Sequence, residues 1–157
     1  MVVVIFVLFA WFCIHVLISL PRKLPLSVNF LLFMAAECVL TNKLTIIGYD
    51  LRLFIMNQNV PHFISLIIHN DLTVTFVLLT FANVFLTTRK AGVRWGISVY
   101  AVAMQLITGY ALRQYNVLMD NGWNLFDESV MIAAMMAYIL LVGKTFQWMA
   151  AKEGWVR

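Results

Sequence analysis

Charged side chains are what this sequence has least of. Asp, Glu, Lys and Arg make up 11% of its 157 residues, while 63% are hydrophobic. A soluble domain carries about 25% charged residues, which it needs to cover its surface. That shortage excludes an ordinary water-soluble fold, and the excess apolar surface calls for a lipid bilayer as solvent. Cysteine is nearly absent as well. Cys13 and Cys38 both fall inside apolar runs, and neither has a second Cys or a His at ligand spacing. This excludes a zinc ribbon or a CxxC redox centre, and both read as small buried hydrophobes. Motifs that carry chemistry are missing too: there is no P-loop, HExxH, GxSxG, paired CxxC or dinucleotide fingerprint. The chain therefore reads as not an enzyme. The formal charge of +4 does not imply nucleic acid, because the basic residues form small groups between apolar runs and no continuous stripe.

Long apolar runs dominate what is present. A spanning helix needs about 20 predominantly apolar residues, and five runs qualify, at about 1–20, 26–47, 60–86, 95–115 and 127–150. No Lys or Arg precedes the first run, and a basic pair follows it. It therefore reads as a retained helix with its amino end outside, not as a cleaved signal. Pro61 suits the first turn of the third helix. Asn124 with Asp127 reads as a cap and an acidic first turn for the fifth. Gly48–Asn59 and Asn116–Phe126 read as loops, and Thr87–Arg94 as a short basic loop. No tandem repeat or low-complexity segment interrupts the pattern, so residues 1–157 read as a single domain. The expected fold is all-α, a polytopic membrane bundle of about five transmembrane helices.

Orientation follows from counting basic residues on alternate sides. One side holds Arg22, Lys23, Arg89, Lys90, Arg94, Lys144, Lys152 and Arg157; the other holds Lys43, Arg52 and Arg113, with Asp50, Asp120, Asp127 and Glu128. Eight against three places the amino terminus outside and the carboxyl terminus in the cytoplasm by the positive-inside rule.

Few polar residues lie within the runs, and they are the candidate site. Glu37 sits near the middle of the second run, where a lone carboxylate is costly and marks function by default. In the third run His62, Ser65, His69, Thr73, Thr80 and Asn83 fall within one arc at 100° per residue. A polar stripe of that kind should face the bundle interior. Asp71 points almost opposite the stripe and needs a basic partner from another helix, with Arg113 the first candidate and Lys43 the second. Glu37, Asp71 and His69 are the candidates for an ion or proton site. His62 and His69 are seven residues apart, too far to share a metal ion, so no metal is expected. A haem between His15 and His69 is disfavoured because the two lie at different depths, and no cofactor is expected. Gly92 and Gly96, and Ala133 and Ala137, have the small-xxx-small spacing that allows close helix approach.

Three short patches carry a resemblance: Arg22-Lys23-Leu24-Pro25 after the first helix, Asn70-Asp71-Leu72 in the third, and Gly122-Trp123-Asn124-Leu125-Phe126 before the last. In order and spacing the chain resembles a family of small uncharacterised multi-pass membrane proteins of Gram-positive spore-forming bacteria. The resemblance implies a bacterial cytoplasmic membrane and a spore-related setting, and no mechanism. The functional expectation is a non-enzymatic subunit or assembly partner in a membrane complex. Its partners would be the lipid bilayer and other membrane proteins or copies of itself. The alternative is a small ion- or proton-coupled transporter or channel component using Glu37 and Asp71.

Overall fold

The computed structural model describes residues 1–21 and 23–153. Arg22 and Arg157, two of the basic residues counted above, lie outside the described residues, as does the first position of the Arg22-Lys23-Leu24-Pro25 patch. Five helices make up the described chain: α1 (Val2–Ile18), α2 (Leu26–Asp50), α3 (Val60–Thr87), α4 (Ala91–Gln114) and α5 (Leu125–Lys152). The last four are long and apolar enough to cross a membrane, and α1 is a shorter apolar helix. At 1.5 Å per residue its 17 residues extend about 26 Å, close to a hydrocarbon core of about 30 Å.

Local chemistry explains most boundaries. Pro61 occupies the first turn of α3 behind Asn59. A capping box starts α5: the Asn124 side chain accepts from the Phe126 and Asp127 N–H groups, and Asp127 accepts from the Asn124 N–H. Two boundaries differ from expectation. The helix begins at Ala91 rather than Trp95, so the basic loop shrinks to three residues, 88–90. The second run continues past Ile47 to Asp50 through a π-helical turn, Thr45–Asp50. A second π-helical stretch, Ile68–Val74, interrupts α3.

The bundle is built around α3, which packs on all four other helices. Of its most apolar stretch 61% is buried, against 22–28% for α2, α4 and α5. Being surrounded, α3 can carry hydroxyl and amide groups that a lipid-facing helix cannot. Its neighbours each offer one stripe. On α2 the buried residues recur every fourth position, Val28, Leu32, Ala36 and Leu40, a 3.6-period face. Gly143 lets α5 lie close to α3, since a Cβ there would stand 2.8 Å from Leu86 Cδ1. By contrast a Cβ added at Gly92 or Gly96 would meet nothing within 4 Å among the described residues, so this pair does not serve a close helix approach there. Cys38, expected to be buried, is exposed on the outward side of α2, and Cys13 is buried.

The two long loops are not independent. Strand β1 (Phe54–Met56) pairs antiparallel with β2 (Leu118–Asp120), with Ile55 opposite Met119. Side-chain amides extend the ladder: Asn57 Nδ2 donates to the Asn116 carbonyl at 3.0 Å and Asn121 Nδ2 to the Arg52 carbonyl at 2.8 Å. The strand pair forms a cap across the bundle end that also carries Met1. The opposite end carries Lys23, Arg89, Lys90 and Lys152, and is called the basic end below.

Candidate functional site

Polar groups gather in three places along α3. Near the basic end, Asn83 is fully buried. Its Oδ1 accepts from the Leu24 N–H at 2.8 Å, and its Nδ2 donates to Asn29 Oδ1 at 2.7 Å and to the Leu79 carbonyl at 2.8 Å. Asn29 in turn donates to the Leu24 carbonyl at 2.9 Å. Every group in this clamp is satisfied, so it ties the α1–α2 turn to α3 and has no capacity left for a ligand. Thr80 and Thr87 return hydroxyl bonds to the carbonyls four residues back. Asn83 therefore ties helices together, whereas the Thr80 hydroxyl is spent within its own helix.

The second place is the middle of the bundle. Glu37 is partly exposed on α2, and its Oε1 accepts from the buried Thr75 hydroxyl at 2.6 Å. Asp71, also partly exposed, lies within electrostatic range of Glu37. Its Oδ1 accepts from Asn70 Nδ2 at 2.9 Å. Among the described residues neither carboxylate has an ion-pair partner. Glu37 and Asp71 thus lie within electrostatic range of each other, and neither is within ion-pair distance of Arg113 or Lys43.

Arg113 is instead committed at the capped end. Its Nε donates to both oxygens of Asp120, at 3.0 and 2.9 Å, its Nη1 donates to the Gly109 carbonyl at 3.1 Å, and its Nη2 pairs with Glu128. The expected Asp71–Arg113 pair is therefore corrected, and the reason is direction: His69 and Asn70 line a space shared with Arg113, whereas Asp71 lies toward Glu37 of α2, and the guanidinium is already held by Asp120 and Glu128. Glu128 reaches the guanidinium because Gly109 has no Cβ, which would stand 2.8 Å from Glu128 Oε1.

Around this ion pair lies the third place, a chamber of about 70 Å³ under the cap. Lys43 from α2, His69 and Asn70 from the π-helical stretch of α3, Gln105 and Arg113 from α4 and Glu128 from α5 supply its polar lining. Phe54, Leu118 and Trp123 contribute from the cap region. Lys43 is within electrostatic range of Glu128, but no carboxylate among the described residues is within ion-pair distance of it. His69 is buried, its ring edge against Phe6 at 6.1 Å between centroids, and its Nδ1 has no protein partner.

The remaining candidates are dispersed. Ser65 and Thr73 are buried and His62 is half-buried. Ser65 donates to the Pro61 carbonyl at 2.7 Å, while Thr73 Oγ1 and His62 Nδ1 have no partner. His15 is exposed and stacks edge-on against Trp11 at 4.3 Å. It lies nine residues from Phe6, the neighbour of His69, or about 13 Å along α1. The two imidazoles thus do not face each other. No three His, Cys, Asp or Glu side chains among the described residues converge as metal ligands.

Two features of the chamber escaped sequence reading. Gln105, Thr108, Gly109, Leu112 and Arg113 form one buried or half-buried face of α4, a helical spacing visible in the sequence though unremarked there. The cap left no local signal, since its strands pair residues more than sixty apart. No family model, curated protein or solved structure matches this chain.

Proposed function

We propose that the chain is a non-enzymatic, multi-pass protein of a bacterial cytoplasmic membrane that works as a subunit or assembly partner in a membrane complex. In this reading all five helices cross the bilayer, with the capped end outside and the basic end in the cytoplasm. Lys23, Arg89, Lys90, Arg94, Lys144 and Lys152 support that orientation, since all belong to the basic end, against Lys43, Arg52 and Arg113 at the other.

One observation carries the assembly role. Glu37 and Asp71 stand partly exposed near mid-bundle with no cation among the described residues in ion-pair contact with them. In a bilayer these two carboxyl groups would meet acyl chains, a cost of several kcal/mol for each charged group. A helix from a second chain that brings a basic or hydroxyl group removes the cost. The outward side of α2 beside Glu37 is also unusually polar for a lipid-facing surface: Cys38, Thr41, Asn42 and Thr45 are all exposed.

Cys38 offers the test. Thiol-specific cross-linking through this native cysteine in intact membranes should trap the chain against a second polypeptide, and Glu37→Gln should reduce the yield. Free modification of Cys38 by a lipid-soluble maleimide, with a single-chain mass in nanodiscs, would refute the assembly role. A second reading, a small proton- or ion-coupled transporter component using Glu37 and Asp71, is favoured by the Thr75 hydroxyl that orients one carboxylate within a span. Proton flux in liposomes that depends on Glu37 separates it from the first.

A further inference from the structure

The chamber at the capped end holds a charge that the fold does not match. Of its two cations, Arg113 is taken by Glu128 and Asp120. Asp120 is 40% exposed, on the open side of the guanidinium, where water screens it. Lys43 is left facing the chamber with no carboxylate within ion-pair distance among the described residues. An ammonium without a counter-ion in a poorly hydrated bundle is costly, and a bound anion relieves it.

We propose that this chamber binds a small monocarboxylate, with the carboxylate on Lys43 beside His69 and Gln105 and the short alkyl part against Leu66, Val74 and Met135. Charge selects the valence: one unmatched cation takes one negative charge, and a second would meet Glu128. A cation is excluded by Lys43 and Arg113. His69 and Gln105 supply the polar contacts. The buried His69 ring lines the chamber, and a neutral imidazole offers one donor and one acceptor. Gln105, also buried, spends one amide hydrogen on the Ala101 carbonyl at 3.2 Å and retains the other. Asn70 does not contribute, because its amide is turned to Asp71.

Size and lining select the rest. By comparison with a cavity of ~150 Å³ that holds one benzene, about 70 Å³ suits a carboxylate of two or three carbons and not a sugar or a nucleotide. Leu66, Val74 and Met135 line one part of it, and an alkyl group covers apolar wall that a hydrated inorganic ion would leave bare. Phe54, Leu118 and Trp123 line the chamber on the side of the cap.

The test uses the full chain in phosphatidylcholine nanodiscs, unfolded thermally and followed by tryptophan fluorescence. Replacing sodium chloride by sodium acetate or propionate at constant ionic strength should raise Tm saturably, by about 2–4 °C. Pivalate, too bulky for the chamber, should give no rise, and Lys43→Gln should abolish the acetate effect. A rise of the same size in Lys43→Gln would put binding elsewhere and overturn the assignment. So would a wild-type protein indifferent to the exchange of chloride for acetate, or one stabilised only when phosphatidylglycerol replaces phosphatidylcholine. Should Lys43→Gln fail to fold, the wild-type protein still decides by NMR saturation transfer. The acetate methyl signal should respond and be competed by propionate, and no transfer would refute the proposal. These outcomes are independent of Cys38 cross-linking.

Discussion

Replacing Arg113 by Gln should be the most destructive single polar substitution at the capped end. The guanidinium joins three elements: its own helix through the Gly109 carbonyl, the cap through Asp120, and α5 through Glu128. The two carboxylate arms differ in worth. Asp120 is 40% exposed and Arg113 27%, so that arm behaves as a surface pair worth about 0.2–1 kcal/mol. The Glu128 side chain is 20% exposed and lines the chamber. Stranding a buried carboxylate costs about 3–5 kcal/mol, which partial exposure reduces to about 2–3. Arg113→Gln should therefore lose about 2–4 kcal/mol, and Arg113→Gln with Glu128→Gln should lose less than the two single losses added together. The coupling should be about 1–3 kcal/mol, whereas the cycle with Asp120→Asn should couple by less than about 1 kcal/mol. Reversible SDS unfolding followed by circular dichroism in mixed micelles measures each corner of the cycle. Additive losses for Arg113 and Glu128 would refute the reasoning. A cycle of Arg113→Gln with Asp71→Asn should be additive, since Asp71 makes no contact with the guanidinium, which is held by Asp120 and Glu128.

Other outcomes follow from close approaches and satisfied clamps. Gly143→Ala pushes a Cβ against Leu86 and should cost about 1–3 kcal/mol. Gly96→Ala, with open space around it, should leave the monomer's stability within about 0.5 kcal/mol in the same assay. Asn83→Ala strands the Leu24 N–H and loosens the α1–α2 turn. It should cost about 1–3 kcal/mol and speed tryptic cleavage after Lys23, read by mass spectrometry. A reporter fused after Lys90 should signal cytoplasm and a tag inserted at Asn121 should be accessible from outside; the reverse pattern would overturn the orientation.

Sequence alone carried the helices and the composition of their faces. Each apolar run is a property of consecutive residues, and a bilayer or a bundle core demands the same local length and hydropathy. For the same reason the polar arc on α3 was legible. Spacing along one helix determines which side chains share a face, and the structure buries Ser65, His69, Thr73, Thr80 and Asn83. Pro61 and the Asn124–Asp127 box were readable because caps involve neighbours within four residues.

Tertiary structure alone decided what meets what. Nothing local made α3 the central helix; that follows from how five apolar cylinders share their burial. Arg113 and Asp71 carry opposite charges on the same half of the bundle, but an ion pair needs atoms within about 4 Å, and Asp71 lies toward α2 while Arg113 is held by Asp120 and Glu128. The cap depends on β1 and β2, whose residues are brought together only by the packing of the helices between them. Lys43 reads in the sequence as one cation among eleven. It becomes a candidate site because the fold pairs the nearby Glu128 with Arg113 and leaves Lys43 lining a small chamber.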